Sequence, residues 1–106
     1  MDAISEDTLG EIARRIVAEI GPKQLFIFGS RAWGTPGESS DLDLMVIVPD
    51  GQGPLRLLKR RVRQCLHDIL IPIDIILEPV SLFERRCRVH ASLECLVAEK
   101  GKRIHG

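Results

Sequence analysis

The sequence reads as an α/β domain. Short apolar runs bounded by glycine, proline and serine alternate with segments whose apolar residues recur every three to four positions. Strands that alternate with helices call for one sheet with helices packed on it. At 106 residues, 44% hydrophobic and 28% charged, the chain has ordinary globular composition and enough length for a single core, so residues 1–106 are expected to form one domain.

Leu9, Ile12, Ala13, Ile16, Val17 and Ile20 repeat at helical spacing, with Glu6, Glu11, Arg14, Arg15 and Glu19 on the other side. Ser5 or Asp7 can cap this first helix and Gly21-Pro22 ends it. Leu25 to Phe28 is a continuous apolar run that stops at Gly29, as a buried strand would. Ser30 to Trp33 can start a brief helix before a loop from Gly34 to Ser40. Leu42 to Val48 is the second strand, closed by Pro49-Asp50-Gly51. Helical periodicity resumes over 55–69, with Leu55, Leu58, Val62, Leu66 and Ile69 apolar and arginines between them. Ile71 to Leu77 is the third strand, ended by Glu78-Pro79. Ser81 caps a short helix, and a last helix runs from Ala91 to Glu99, stopped by Gly101. The strand–helix–strand spacing of the second and third strands allows a parallel or a mixed sheet.

The formal net charge is zero, so no overall field draws the protein to nucleic acid. Positive charge is nevertheless uneven, gathering in Arg56 to Arg63, in Arg85-Arg86-Cys87-Arg88 and in Lys100 to Arg103. The first of these runs reads either as the wet side of a helix or as a docking face for an acidic partner or an RNA backbone. Cys65, Cys87 and Cys95 form an odd set without a CxxC pair, as expected of reduced thiols in the cytoplasm. The acidic, periodic start does not resemble a signal or transit peptide, and no apolar run reaches membrane-spanning length, so no membrane role is expected.

Candidate chemistry lies in the strands. Asp41 and Asp43 project from one face of the second strand, while Leu42, Leu44, Val46 and Val48 point to the other. Asp74 sits between Ile73 and Ile75 and completes a cluster if its strand neighbours the second. Singly, Asp41 could be a turn residue and Asp74 a salt-bridged one. Together they leave several carboxylates in apolar strands, which calls for cations or several donors. Hard oxygen ligands suit Mg²⁺, or Mn²⁺, shared with substrate phosphates. Gly29 lacks a Cβ, so phosphate can approach its backbone; Ser30 and Arg31 at the strand-to-helix turn would add donors. No GK[ST] follows Gly34, which excludes a Walker A loop, and Cys87, His90 and Cys95 have no zinc-site spacing.

Gly29-Ser30, ten residues, Asp41-Leu42-Asp43 and a later strand aspartate resemble the DNA polymerase β nucleotidyltransferase superfamily. The string Phe28-Gly29-Ser30-Arg31-Ala32-Trp33-Gly34, followed by Ser40-Asp41-Leu42-Asp43-Leu44, is most similar to its minimal branch, the MNT domains, including the MntA-like antitoxins paired with HEPN-domain toxins. Trp33 and His105 depart from that branch, where a polar residue and a tyrosine are common. The resemblance implies a small mixed sheet flanked by helices in the polymerase β-like nucleotidyltransferase fold. It implies that Asp41, Asp43 and Asp74 hold two Mg²⁺ ions and carry catalysis, and that Gly29, Ser30 and Arg31 bind ATP. The implied reaction moves AMP to a hydroxyl, in MNT–HEPN pairs a tyrosine of the toxin. A chain this short has no residues left for an acceptor-binding domain, so a HEPN-type partner in a hetero-oligomer is expected, with nucleic acid not required. Two rivals remain at the level of sequence. One is a non-catalytic antitoxin that neutralises by binding; the other is transfer to a small hydroxylated molecule such as an aminoglycoside, or to an RNA 3′ end.

Overall fold

The computed structural model of the chain describes residues 5–29 and 41–106. Among these described residues the elements are, in order, α1 (Glu6–Ile20), β1 (Gln24–Phe28), β2 (Leu42–Val48), α2 (Leu55–Cys65), β3 (Ile73–Pro79), α3 (Val80–Cys87), α4 (Leu93–Lys100) and β4 (Lys102–His105). The four strands form one mixed sheet in the order β3-β2-β1-β4. β2 runs parallel to β3, joined to it through α2, whereas β1 is antiparallel to both β2 and β4. The expected fold class is therefore the observed one.

Alternation of side chains sorts the sheet into two faces. Leu25, Ile27, Leu42, Leu44, Val46, Val48, Ile75 and Leu77 point to one side and are buried against Leu9, Ile12 and Ile16 of α1 and Leu58 and Val62 of α2. Ser5 starts α1 by accepting a hydrogen bond from the Thr8 N–H at 3.1 Å, and Gly21 ends it in the left-handed region at φ +57°. Arg61 ties the two helices together, its Nε donating to Glu19 Oε2 at 3.0 Å. On the opposite face lies a smaller cluster of Phe26, Phe28, Met45, Ile47, Phe83 and Val97, covered by α3 and α4. The Phe26 and Phe83 rings stack there with centroids 5.9 Å apart.

Several boundaries differ from the sequence expectation, each for a local reason. The helix over 55–69 stops at Cys65, where the chain tightens: the Leu66 N–H bonds to Arg63 O at 3.2 Å and the Ile69 N–H to Leu66 O at 3.0 Å. Pro72 has no N–H to give a ladder, so β3 begins at Ile73 rather than Ile71. Its carbonyl instead accepts from the Leu42 N–H at 2.9 Å, fixing the start of β2 against the start of β3. Ser81 does not cap α3, which follows Pro79 directly; the Ser81 N–H donates to Asp50 Oδ1 at 3.0 Å. Ser92 caps α4 through the Cys95 N–H at 3.0 Å. Strand β4 is an addition, unsignalled because Lys102-Arg103-Ile104-His105 shows no apolar alternation.

A buried acidic cluster fastens α3 and α4 to the sheet. Glu78, on the same face of β3 as Ile76, and Glu94 are each only 5% exposed. Arg86 Nη1 donates to Glu78 Oε2 at 3.2 Å and to Glu94 Oε2 at 3.4 Å, while Glu78 Oε1 is buried without a hydrogen-bond partner. Burial, and then the adjoining Glu94 carboxylate, push the Glu78 carboxyl up to about 7, and Glu94 is held low chiefly by its hydrogen bond with Glu78. Below about pH 7 the pair thus keeps one proton in the folded state. A folded-state pKa raised from 4.5 to about 7 gives stability that is complete below 4.5 and lost as pH rises through 7. Between pH 6 and 8.5 the wild-type Tm is expected to fall by about 5 °C. Glu78→Gln keeps a donor to Glu94 without a titrating proton, so thermal melts of that variant should be flat over the same range.

Candidate active site

The register of the sheet decides where the aspartates meet. Asp43 of β2 pairs with Asp74 of β3, and across β1 it pairs with Phe28. Asp43 lies two residues before Met45 and Asp74 two before Ile76, so both carboxylates leave the sheet on the face that carries α3 and α4. Parallel pairing brings the N-terminal ends of β2 and β3 side by side, and the antiparallel β1 delivers its C-terminal end, Gly29, to the same place. Asp41 stands one residue before β2, exposed, at this same end.

Gly29 is held in the left-handed region at φ +81°. A Cβ there would come within 2.2 Å of Asp43 Oδ2 and 3.2 Å of its Cγ. The backbone therefore runs against the Asp43 carboxylate, in a space that only glycine leaves open. Burial, followed by the negative charges of Asp74 and Asp41, raises the Asp43 pKa above the usual carboxylate value. Among the described residues, the charged groups that act on Asp43 are the carboxylates of Asp74 and Asp41.

The expected site residues divide accordingly. Asp43, Asp74 and Gly29 come together, with Asp41 at the same end of the sheet. Among the described residues no group of three His, Cys, Asp or Glu side chains is gathered around one metal position; Asp43 and Asp74 are paired by the strand register. Ser30, Arg31 and Trp33, together with the brief helix and the loop expected over 30–40, lie outside the described residues. The donor set fits a hard divalent cation: adjacent carboxylates on paired strands, half-buried at Asp43. What the sequence reading missed is the Glu78–Glu94 pair on the same face. Its signal was present, since Asp74, Ile76 and Glu78 alternate along β3.

No helix among the described residues is long and apolar enough to cross a membrane. No curated protein is significantly similar to the chain. A crystal structure from Sulfolobus solfataricus, provisionally described as a nucleotidyltransferase, shares the fold with a TM-score of 0.57 at 22% identity, over 72% of this chain and 68% of that one. The family model for the nucleotidyltransferase domain matches residues 10–101, a span that contains β1, the Gly29 turn, Asp43 and Asp74. A match over nearly the whole sheet, with the paired aspartates at its centre, places this chain in the nucleotidyltransferase domain family.

Proposed function

We propose that this nucleotidyltransferase domain transfers AMP from ATP to a protein hydroxyl, a tyrosine of a HEPN-type toxin, and thereby acts as an antitoxin in the cytoplasm. The observation that supports it most is the Asp43–Asp74 register beside the Gly29 turn, where a carboxylate pair meets a backbone that passes close against Asp43. Asp41, Asp43 and Asp74 would hold two Mg²⁺ ions, with Mn²⁺ as a substitute, and Gly29, Ser30 and Arg31 would bind the triphosphate. Bound there, divalent ions would neutralise charge on the entering and leaving oxygens. The acceptor oxygen bonds to the α-phosphorus as the bond from that phosphorus to the β-phosphate bridging oxygen breaks, releasing pyrophosphate. Asp74, the more exposed of the pair, would take the hydroxyl proton, and Asp43, packed against Gly29, would hold position.

The test uses the protein, its HEPN-fold partner and ATP labelled at either the α- or the γ-phosphate. Label from α-labelled ATP should appear on the partner, none from γ-labelled ATP, and EDTA should abolish transfer. Neutralisation of the partner with no label transferred from either ATP would overturn this reading in favour of a binding antitoxin. Transfer to an aminoglycoside and not to the partner would overturn the choice of acceptor.

A further inference from the structure

Helix α2 carries cations without an acid to answer them. Arg56, Lys59, Arg60 and Arg63 follow the i, i+3, i+4, i+7 spacing that places them along one stripe, and residues 55–65 contain no Asp or Glu. None of the four side chains makes an ion pair or hydrogen bond with another described residue, whereas Arg61, off the stripe, is engaged by Glu19. Like charges at these spacings repel, so the stripe weakens its own helix. Stability does not explain it.

The stripe ends at an apolar groove. Leu66, Ile69, Ile71 and Ile73 line a cleft of about 180 Å³ with Arg63 and His67 on its rim. Beside it Leu70 is 93% exposed, the most exposed large apolar side chain among the described residues. The groove runs along β3, the outer strand of the sheet, whose alternation puts Ile73 and Ile75 on the groove side and Asp74 on the other. Five of the seven lining residues are aliphatic and a single ring, His67, stands among them, which suits an apolar side chain of a protein segment better than a run of stacked bases.

We infer that α2 and this groove dock an acidic amphipathic segment of the acceptor protein. An apolar side chain of the segment fills the groove and its carboxylates lie over Arg56, Lys59, Arg60 and Arg63. This rests on the reading that the acceptor is a protein. It adds the route: a chain held at the edge of β3 is one strand's thickness from Asp74, so docking and chemistry share a single strand.

Two variants test it without disturbing the core, Arg60→Glu/Arg63→Glu on the stripe and Leu70→Ser beside the groove. With the HEPN-fold partner as acceptor, each should raise the partner's Kd and KM by about tenfold or more at low salt. Mg-ATP affinity and kcat at saturating partner should stay at wild-type values, and the salt dependence of binding should flatten in the charge-reversed variant. Unchanged partner affinity in both variants overturns the inference. So does loss of binding to a single-stranded RNA oligonucleotide in the charge-reversed variant while partner affinity stays, which would assign the stripe to nucleic acid. Should the wild type bind the partner but transfer no AMP, the catalytic reading fails; loss of binding in these variants would still support the docking surface.

Discussion

Asp43→Asn is expected to melt at a higher temperature than the wild type and to transfer no nucleotide. The two effects have one cause. Asp43 is half-buried, next to Asp74 in register, and both burial and its neighbours' charges penalise its ionised form. A pKa raised on folding means stability that is present below the ordinary carboxylate value and lost as pH rises through the raised one. Wherever Asp43 is ionised, the folded protein bears that loss. Asparagine keeps the shape and removes the charge, relieving about 0.2–1 kcal/mol of like-charge repulsion between neighbouring strands. For a domain of this size the Tm should rise by about 2–5 °C, measured without divalent metal. Activity should fall by about 10³-fold or more, because loss of a metal-holding carboxylate removes several kcal/mol of transition-state stabilisation. Mg²⁺ should raise the Tm of the wild type and leave that of the variant unchanged. A variant that melts lower than the wild type would mean that Asp43 serves the fold, not the site.

Gly29→Ala should be as damaging to activity although it deletes no functional group. The left-handed backbone at φ +81° disfavours alanine by about 1–2 kcal/mol. The new methyl also meets Asp43 Oδ2, which must swing away or push the β1–β2 pair apart, adding about 1–3 kcal/mol. Thermal melts should show a drop of more than about 8 °C. The collision can be isolated from the strain by a double-mutant cycle. In an Asp43→Ala background the methyl finds open space, so Gly29→Ala should then cost only the backbone part, a coupling of about 1–3 kcal/mol. Additive costs would show that the close approach between Gly29 and the carboxylate carries no energy.

Much of this was legible in the sequence, because the strongest signals there are also the ones that hold the fold. The α1 stripe from Leu9 to Ile20 and the apolar runs at β1 and β2 are long and periodic, and the structure keeps them with small shifts. Asp41 and Asp43 could be put on one face from period two alone. Their relation to Asp74 could not, because strand order and register are set by tertiary packing: the sequence reading left parallel and mixed sheets open. Pro72 shows how proline moves a boundary by what it cannot donate, shifting the start of β3 to Ile73, whereas the strand runs on through Pro79. Strand β4 carried no signal, since its pairing with β1 depends on backbone hydrogen bonds more than on buried side chains. Glu78 was read as a strand end when its alternation with Asp74 and Ile76 marked it as facing inward.

The two faces of the sheet are unequal in depth. Behind β2, two helices of fifteen and eleven residues close over a broad aliphatic layer; in front, two eight-residue helices rest on a handful of rings and a shared proton. The thin front should open first in local fluctuations, and the thick back last. Because Asp43 is anchored by Leu42 and Leu44 in that back layer, its carboxylate belongs to the slowest-opening part of the molecule. The front helices can breathe to admit or release a bulky ligand while the chemistry stays bolted to its foundation.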